Sequence, residues 1–151
     1  IPKVAARVKD LQNPTRKMSK SEGSAQGTIL LLDDLKDIER KVKRAVTDAE
    51  SEVRYDVEAK PGVSNLLELL GAATGRSPDE VAAGYTQYGP LKADTAAAVV
   101  ELVRPIQERY RELAADPGGT AAVLEKGAAK AESMASATLA RAREHIGLLP
   151  R

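Results

Sequence analysis

The sequence predicts an all-α fold, a helical bundle preceded by a short extended segment and a basic loop. Three observations carry that prediction. From Leu35 onward, apolar residues recur three or four positions apart along most of the chain. Helix-opening clusters (Asp33-Asp34, Ser77-Pro78-Asp79-Glu80, Asp116-Pro117) alternate with the glycine stops Gly75 and Gly147. Short apolar–charged alternation, the mark of a strand, is confined to residues 3–11.

Lys3 to Leu11 reads as a strand or an extended entry segment, and Asn13-Pro14 as a turn. Pro14 to Gly27 has no apolar period, and Gly23, Ser24 and Gly27 make it a mobile surface loop. The apolar run Ile29 to Leu32 must pack somewhere, but its period does not say in what conformation. The first helix opens at Asp33 or Asp34, where a carboxylate caps free N–H groups and suits the helix dipole. Leu35, Ile38, Val42, Ala45 and Val46 share its apolar face, and Lys36, Arg40, Lys41, Lys43 and Arg44 cover the rest. Thr47 to Gly62 is a polar connector ending in a Pro61-Gly62 turn, with Ser64 capping a short helix that stops at Gly75. Ser77 to Glu80 is a capping box opening another short helix that runs out between Gly84 and Gly89. From Leu91 a long helix is predicted, with Ala97, Val100, Val103, Ile106, Tyr110 and Leu113 on its apolar face and a kink at Pro105. The last helix spans Thr120 to His145, and Ala121, Gly127, Ala128, Ala131, Ala135 and Ala142 give it a small-residue face. Gly147 and Pro150 end it.

At 151 residues the chain has the size of one domain, and its net charge of +1 argues for no global attraction to nucleic acid or membrane. The charge is nevertheless uneven. Lys3, Arg7, Lys9, Arg16, Lys17 and Lys20 face the single acid Asp10 within the first twenty residues. Cysteine is absent, which removes disulfides and thiolate metal sites. No apolar run reaches the length of a membrane span, and a cytoplasmic location is the default. The chain opens on Ile1 and lacks Phe and Trp, so it reads as part of a larger protein.

The chemistry concentrates in Lys17-Met18-Ser19-Lys20-Ser21. Two ammonium groups three positions apart alternate with hydroxyls in a loop opened by Pro14 and closed by glycine. Lysine supplies point charge, and serine and backbone N–H groups supply directed donors, so the loop suits a chain of phosphates. Other clusters read more simply. Asp33-Asp34 and Glu50-Ser51-Glu52 are a solvated helix start and connector rather than metal ligands. Lys41, Lys43 and Arg44 suit RNA phosphate and an exposed helix face equally. Tyr88 and Lys92 place a ring and a cation at a helix start, a pair able to stack on and bind an unstacked base, and Tyr88 equally suits a role as a helix-packing anchor. His145-Ile146-Gly147 closes the final helix, where His favours the negative end of the dipole and Gly147 stops the chain.

As a string, residues 17–21 read KMSKS, the second signature of class I aminoacyl-tRNA synthetases. The resemblance extends over essentially the whole chain. Ala6-Arg7-Val8 with Leu11 to Ser21, Arg44 to Asp48, Lys60 to Leu67, Pro105 to Tyr110, and the ending from Gly127 to Pro150 resemble the C-terminal part of bacterial tryptophanyl-tRNA synthetases. The motif is followed by Glu22-Gly23-Ser24, where many members of the family continue with Asp-Pro.

The resemblance implies activation of tryptophan with ATP and magnesium to tryptophanyl-adenylate, then transfer to tRNA(Trp). It implies Lys20 as the principal pyrophosphate contact with Lys17 in support, Met18, Ser19 and Ser21 beside the nucleotide, and Val8 in contact with ATP. Residues 1–28 would be the end of the catalytic domain, and 29–151 an anticodon-binding bundle of helices, with Tyr88 and Lys92 candidates for tRNA contact. A metal held by protein ligands of this chain is not implied. The partners would be tRNA(Trp), ATP and tryptophan, within a homodimer. A nucleotide-binding half with the HIGH signature would precede Ile1, and without it the chain would not activate tryptophan. The alternative reading is a non-catalytic helical module, derived from a synthetase, that binds RNA or protein.

Overall fold

The computed structural model describes residues 7–21 and 23–148; the expectations for Lys3 to Ala6, Glu22 and Pro150 lie outside these. Among the described residues there are five helices, α1 (Leu35–Lys43), α2 (Pro61–Thr74), α3 (Pro78–Ala82), α4 (Tyr88–Ala115) and α5 (Pro117–His145), and no strand. The fold is all-α. Two compact units divide it, Ile1–Gln107 and Glu108–Arg151, with the boundary inside α4.

The predicted caps form. Asp34 opens α1 by accepting the Lys36 N–H at 2.8 Å. Ser77 and Glu80 make the reciprocal capping box of α3, and Asp116 opens α5 by accepting the Gly119 N–H at 2.8 Å. Gly75 (φ 73) and Gly147 (φ 72) take the left-handed conformation that ends α2 and α5. At the end of α5 the Gly147 N–H donates to Glu144 O and the Leu148 N–H to Arg143 O, a Schellman pairing. His145 therefore belongs to a helix end, as its position in the sequence requires.

Five expectations change. Pro61-Gly62 is the first turn of α2 rather than a turn before it. Proline at the first helical position loses nothing by lacking an N–H. A Cβ on Gly62 would run into the Val46 carbonyl oxygen, so the glycine serves close packing. Ser64, released from capping, accepts the Asp56 N–H at 2.9 Å. Within the run Ile29 to Leu32, only Ile29 packs inward; Leu30, Leu31 and Leu32 are exposed. The buried stripe of α4 is Leu91, Thr95, Ala96, Val99, Val103 and Gln107, so Ala97 and Ile106 fall outside it. Pro105 interrupts the hydrogen-bond ladder of α4 without ending the helix. Lys41 is buried rather than solvated, and its ammonium donates to Thr28 O at 2.8 Å and pairs with Asp33 at 2.6 Å.

The main core joins Leu11 to Val42 in the last turn of α1 and Ala45 just beyond it, to Val63, Leu66, Leu67 and Leu70 of α2, to Val81 and Ala82 of α3, and to Leu91 and Ala96 of α4. A second cluster packs Ile38 against Val99 and Val103. None of the residues of α5 is buried in this chain.

Candidate nucleotide-contacting loop

The lysine loop begins as the return arm of a short pairing. The Asp10 N–H donates to Arg16 O at 3.0 Å and the Met18 N–H to Val8 O at 2.9 Å, and Lys9 and Lys17 form an isolated antiparallel bridge. The Arg16 N–H donates to Asn13 O at 3.0 Å and closes the turn that Asn13-Pro14 predicts. The strand-like alternation thus yields one bridge rather than a strand.

Asp10 organises the base of this loop. It is 5 % exposed, and its Oδ1 accepts the N–H groups of Gln12 and Asn13 at 2.8 and 2.9 Å, a local turn typical of Asp. The carboxylate lies so close to the backbone at Gly27 that a Cβ there would collide with it. The Leu11 N–H donates to Gly27 O at 2.9 Å, which ties the far end of the loop to its start.

The site residues separate by exposure. Met18 is half-buried, packs on the main core and accepts the Ile29 N–H on its Sδ at 3.4 Å. Half-buried Ser19 offers its carbonyl to the Gly23 N–H at 3.1 Å and to the Thr28 hydroxyl at 3.2 Å. Lys17, Lys20 and Ser21 are exposed, and Ser21 Oγ lies 3.5 Å from Ser19 Oγ. Among the described residues neither Lys17 nor Lys20 has a carboxylate within ion-pairing distance. Lys17, Arg16, Ser19, Gly23 and Asp10 line a cavity of about 310 Å³. Val8 is half-buried, and its part in the loop is the carbonyl that Met18 engages. A methionine anchor with charged neighbours pointing outward places cations where a polyanion can reach them, with the backbone between them already hydrogen-bonded.

Tyr88 and Lys92 stand four apart at the start of α4 and do not join the loop. The Tyr88 hydroxyl donates to Asp48 Oδ1 at 2.6 Å and accepts from Lys60 Nζ at 3.1 Å. Lys60 is 1 % exposed, and its ammonium also pairs with Asp48 at 3.1 Å and Glu50 at 2.6 Å. Its pKa is raised by the bond to Glu50, against the cost of burial and with help from Tyr88 and Asp48. Burial pushes the Asp48 carboxyl up, but the bonds from Tyr88, Lys60 and the Glu50 N–H outweigh it and hold the group below the usual carboxylate range. Burial lowers the Lys92 ammonium.

Sequence reasoning missed the parts of Asp10 and Lys60, and read Lys41 as an RNA contact or an exposed-face residue rather than a buried one. For Asp10 the Asp-x-Gln-Asn-Pro neighbourhood offered a turn signal; buried lysines have no local signature.

The family model for class I tRNA synthetases of the W and Y type matches residues 4–104. The chain is 52 % identical over 149 residues to tryptophan–tRNA ligase 1 of Streptomyces coelicolor, covering 99 % of this chain and 44 % of the relative. It is 49 % identical over 153 residues to the tryptophan–tRNA ligase of Mycobacterium leprae, covering all of this chain and 45 % of the relative. The crystal structure of tryptophanyl-tRNA synthetase from Mycoplasma pneumoniae superposes with a TM-score of 0.85 at 28 % identity, over 98 % of this chain and 45 % of that one. The chain spans less than half the length of the curated relatives it matches. The lysine loop, its helical continuation and these matches together make the chain a member of the class I tRNA synthetase family for tryptophan and tyrosine.

Proposed function

We propose that this chain is the loop-bearing and tRNA-reading part of a tryptophan–tRNA ligase. The observation that carries the reading is the presentation of Lys17 and Lys20, exposed and clear of described carboxylates, on a loop whose half-buried Met18 packs against the core. Residues 1–28 end the catalytic domain, and 29–151 form the anticodon-binding domain. ATP, tryptophan and tRNA(Trp) are the substrates, the whole enzyme works as a homodimer, and its setting is the cytoplasm.

In adenylate formation the tryptophan carboxylate attacks the α-phosphorus of ATP, and the bond to the pyrophosphate leaving group breaks. Charge accumulates on that leaving group. Lys20, with Lys17 beside it, stabilises this charge more in the transition state than in bound ATP. Ser19 and Ser21 add hydroxyl donors, and Val8 and Met18 border the nucleotide. Magnesium would travel on the nucleotide's own phosphate oxygens; among the described residues no group of three or more His, Cys, Asp or Glu is placed to hold a metal. The chain's contribution rests on its lysines.

The test is tryptophan-dependent exchange of pyrophosphate into ATP by this chain joined to the amino-terminal part of the Streptomyces coelicolor relative, with that relative as positive control. Lys20→Ala is expected to lower kcat by about a hundredfold and leave KM for tryptophan unchanged. A folded fusion with no exchange, or an unchanged kcat in the variant, overturns the reading. The chain without its amino-terminal complement is expected to show no exchange.

A further inference from the structure

We infer that Asn65 on α2 is a positioning residue for the lysine loop; the inference deepens the function proposed above and rests on it. Asn65 is 3 % exposed and lies within the buried run Gly62 to Leu67 of α2. Its side-chain carbonyl accepts the Lys9 N–H at 2.9 Å, and its amide donates to the Lys9 carbonyl at 3.1 Å. One side chain thus satisfies both backbone groups of a residue 56 positions away. It gives Lys9 the pairing that a neighbouring strand would otherwise supply.

That choice has a cost. Asparagine is a weaker helix former than leucine or alanine, and a buried amide is tolerated only when its donors and acceptor find partners. Leucine would serve α2 and the core as well. What leucine cannot do is hold Lys9.

Lys9 is the bridge partner of Lys17, and its neighbour Val8 accepts the Met18 N–H at 2.9 Å. From Asn65 two hydrogen bonds reach Lys9, and the bonds on either side of Lys9, from the Met18 N–H to Val8 and from the Asp10 N–H to Arg16, flank Lys17. Because the backbone of Lys9 is what is gripped, a displacement of α2 carries the base of the loop with it. Asn65 touches no proposed substrate position. It acts through Lys9 on where Lys17 and Met18 stand, and a small misplacement of charged groups around a leaving phosphate lowers the rate without weakening the binding of tryptophan.

The test has two arms. In the chain itself, amide hydrogen exchange follows Lys9 and Met18, with Leu67 and Leu70 of α2 reporting that the fold is intact. Asn65→Ala is expected to reduce protection at both Lys9 and Met18 by about tenfold while α2 stays protected. Asn65→Asp keeps the shape. Its protonated carboxyl offers the same donor and acceptor as the amide, whereas its ionised form is acceptor-only and faces the Lys9 carbonyl. Loop protection in Asn65→Asp is therefore native-like at acid pH and falls as the carboxyl ionises. Lys9, Glu58 and Glu68 line the same cavity of about 250 Å³ as Asn65, so the unsubstituted chain, which carries all three, must show no such step. In the fusion, Asn65→Ala is expected to lower kcat for exchange about tenfold with KM for tryptophan unchanged.

Faster exchange at Lys9 alone, with Met18 as protected as before, overturns the inference. So does a pH step shared with the unsubstituted chain, or a kcat indifferent to Asn65→Ala in a fusion that otherwise exchanges. An unsubstituted, folded fusion without exchange instead overturns the function proposed above, and the exchange of Met18 still reports whether Asn65 positions the loop.

Discussion

Single residues in this chain carry more structure than their types suggest. Tyr55 donates to Glu68 at 2.8 Å and Tyr85 to Asp94 at 2.7 Å. The bond to Glu68, then burial and the carboxylate's charge, pushes the Tyr55 hydroxyl up to about 12. Burial, then the bond to Asp94, pushes Tyr85 up to about 12 as well. The folded chain keeps these protons after the unfolded chain has begun to lose them, near a pH of about 10. Their contribution to stability is therefore complete below that pH and is lost as pH rises toward about 12. Denaturant titrations across this range should show a falling stability, and Tyr55→Phe should make the fall shallower. Asp33 shows the opposite sign: burial pushes its carboxyl up, but the bonds from Lys41 and the Leu30 N–H, with the charge of Lys41, bring it below its usual value. That contribution is present above the ordinary carboxylate range and fades in acid.

At the scale of elements, α4 separates what periodicity reveals from what it does not. A period of three to four is visible from Leu91 onward, yet Ala97, Val100 and Ile106 are as regular as Ala96, Val99 and Val103. Hydropathy alone does not choose between adjacent stripes in so alanine-rich a helix. Of the two polar residues inside the stripe, Thr95 bonds within its own helix and Gln107 ties α4 to the segment before α1. Thr95 donates to Leu91 O at 2.7 Å, and Gln107 donates to both Leu31 O and Asp33 O at 2.8 Å. Val103 is 5 % exposed and Ile106 is 45 % exposed. Val103→Ala should cost about 2 kcal/mol in chemical denaturation of this chain, and Ile106→Ala no more than about 0.5 kcal/mol. Equal losses would place the stripe elsewhere.

At the scale of the whole molecule, two sets of residues serve two ends of one proposed substrate pair. Under the function proposed above, the lysine loop would face phosphate, and Tyr88 with Lys92 would offer a ring and a cation to an unpaired base. The Tyr88 hydroxyl is already committed to Asp48 and Lys60, and its half-buried ring packs on the main core with Lys60 Nζ 5.8 Å from its centroid, so what it can offer a base is the ring's solvent-facing side. Tyr88→Phe should keep the affinity of the chain for tryptophan tRNA while lowering the melting temperature, because Lys60 and Asp48 lose a partner. Tyr88→Leu should weaken binding by about 1–3 kcal/mol, and that binding should fall steeply with added salt. Filter binding at two ionic strengths checks both. Loss of affinity in Tyr88→Phe would show that the hydroxyl, not the ring, meets the RNA.

The sequence by itself determined the all-α class, the caps at Asp34, Ser77 and Asp116, the glycine stops, and the identity of the lysine loop. Each of these depends on residues within a few positions of one another, so local chemistry suffices. Only the tertiary structure decided that Lys41 and Lys60 are buried ion-pair centres, that Pro61-Gly62 begins a helix, and that Asn65 grips Lys9. A lysine is read as solvated until acids from other segments, Asp33 for Lys41 and Asp48 and Glu50 for Lys60, are brought within about 3 Å of it. The grip on Lys9 closes across 56 residues, and a hydrogen bond of that span exists only once α2 has packed behind the loop.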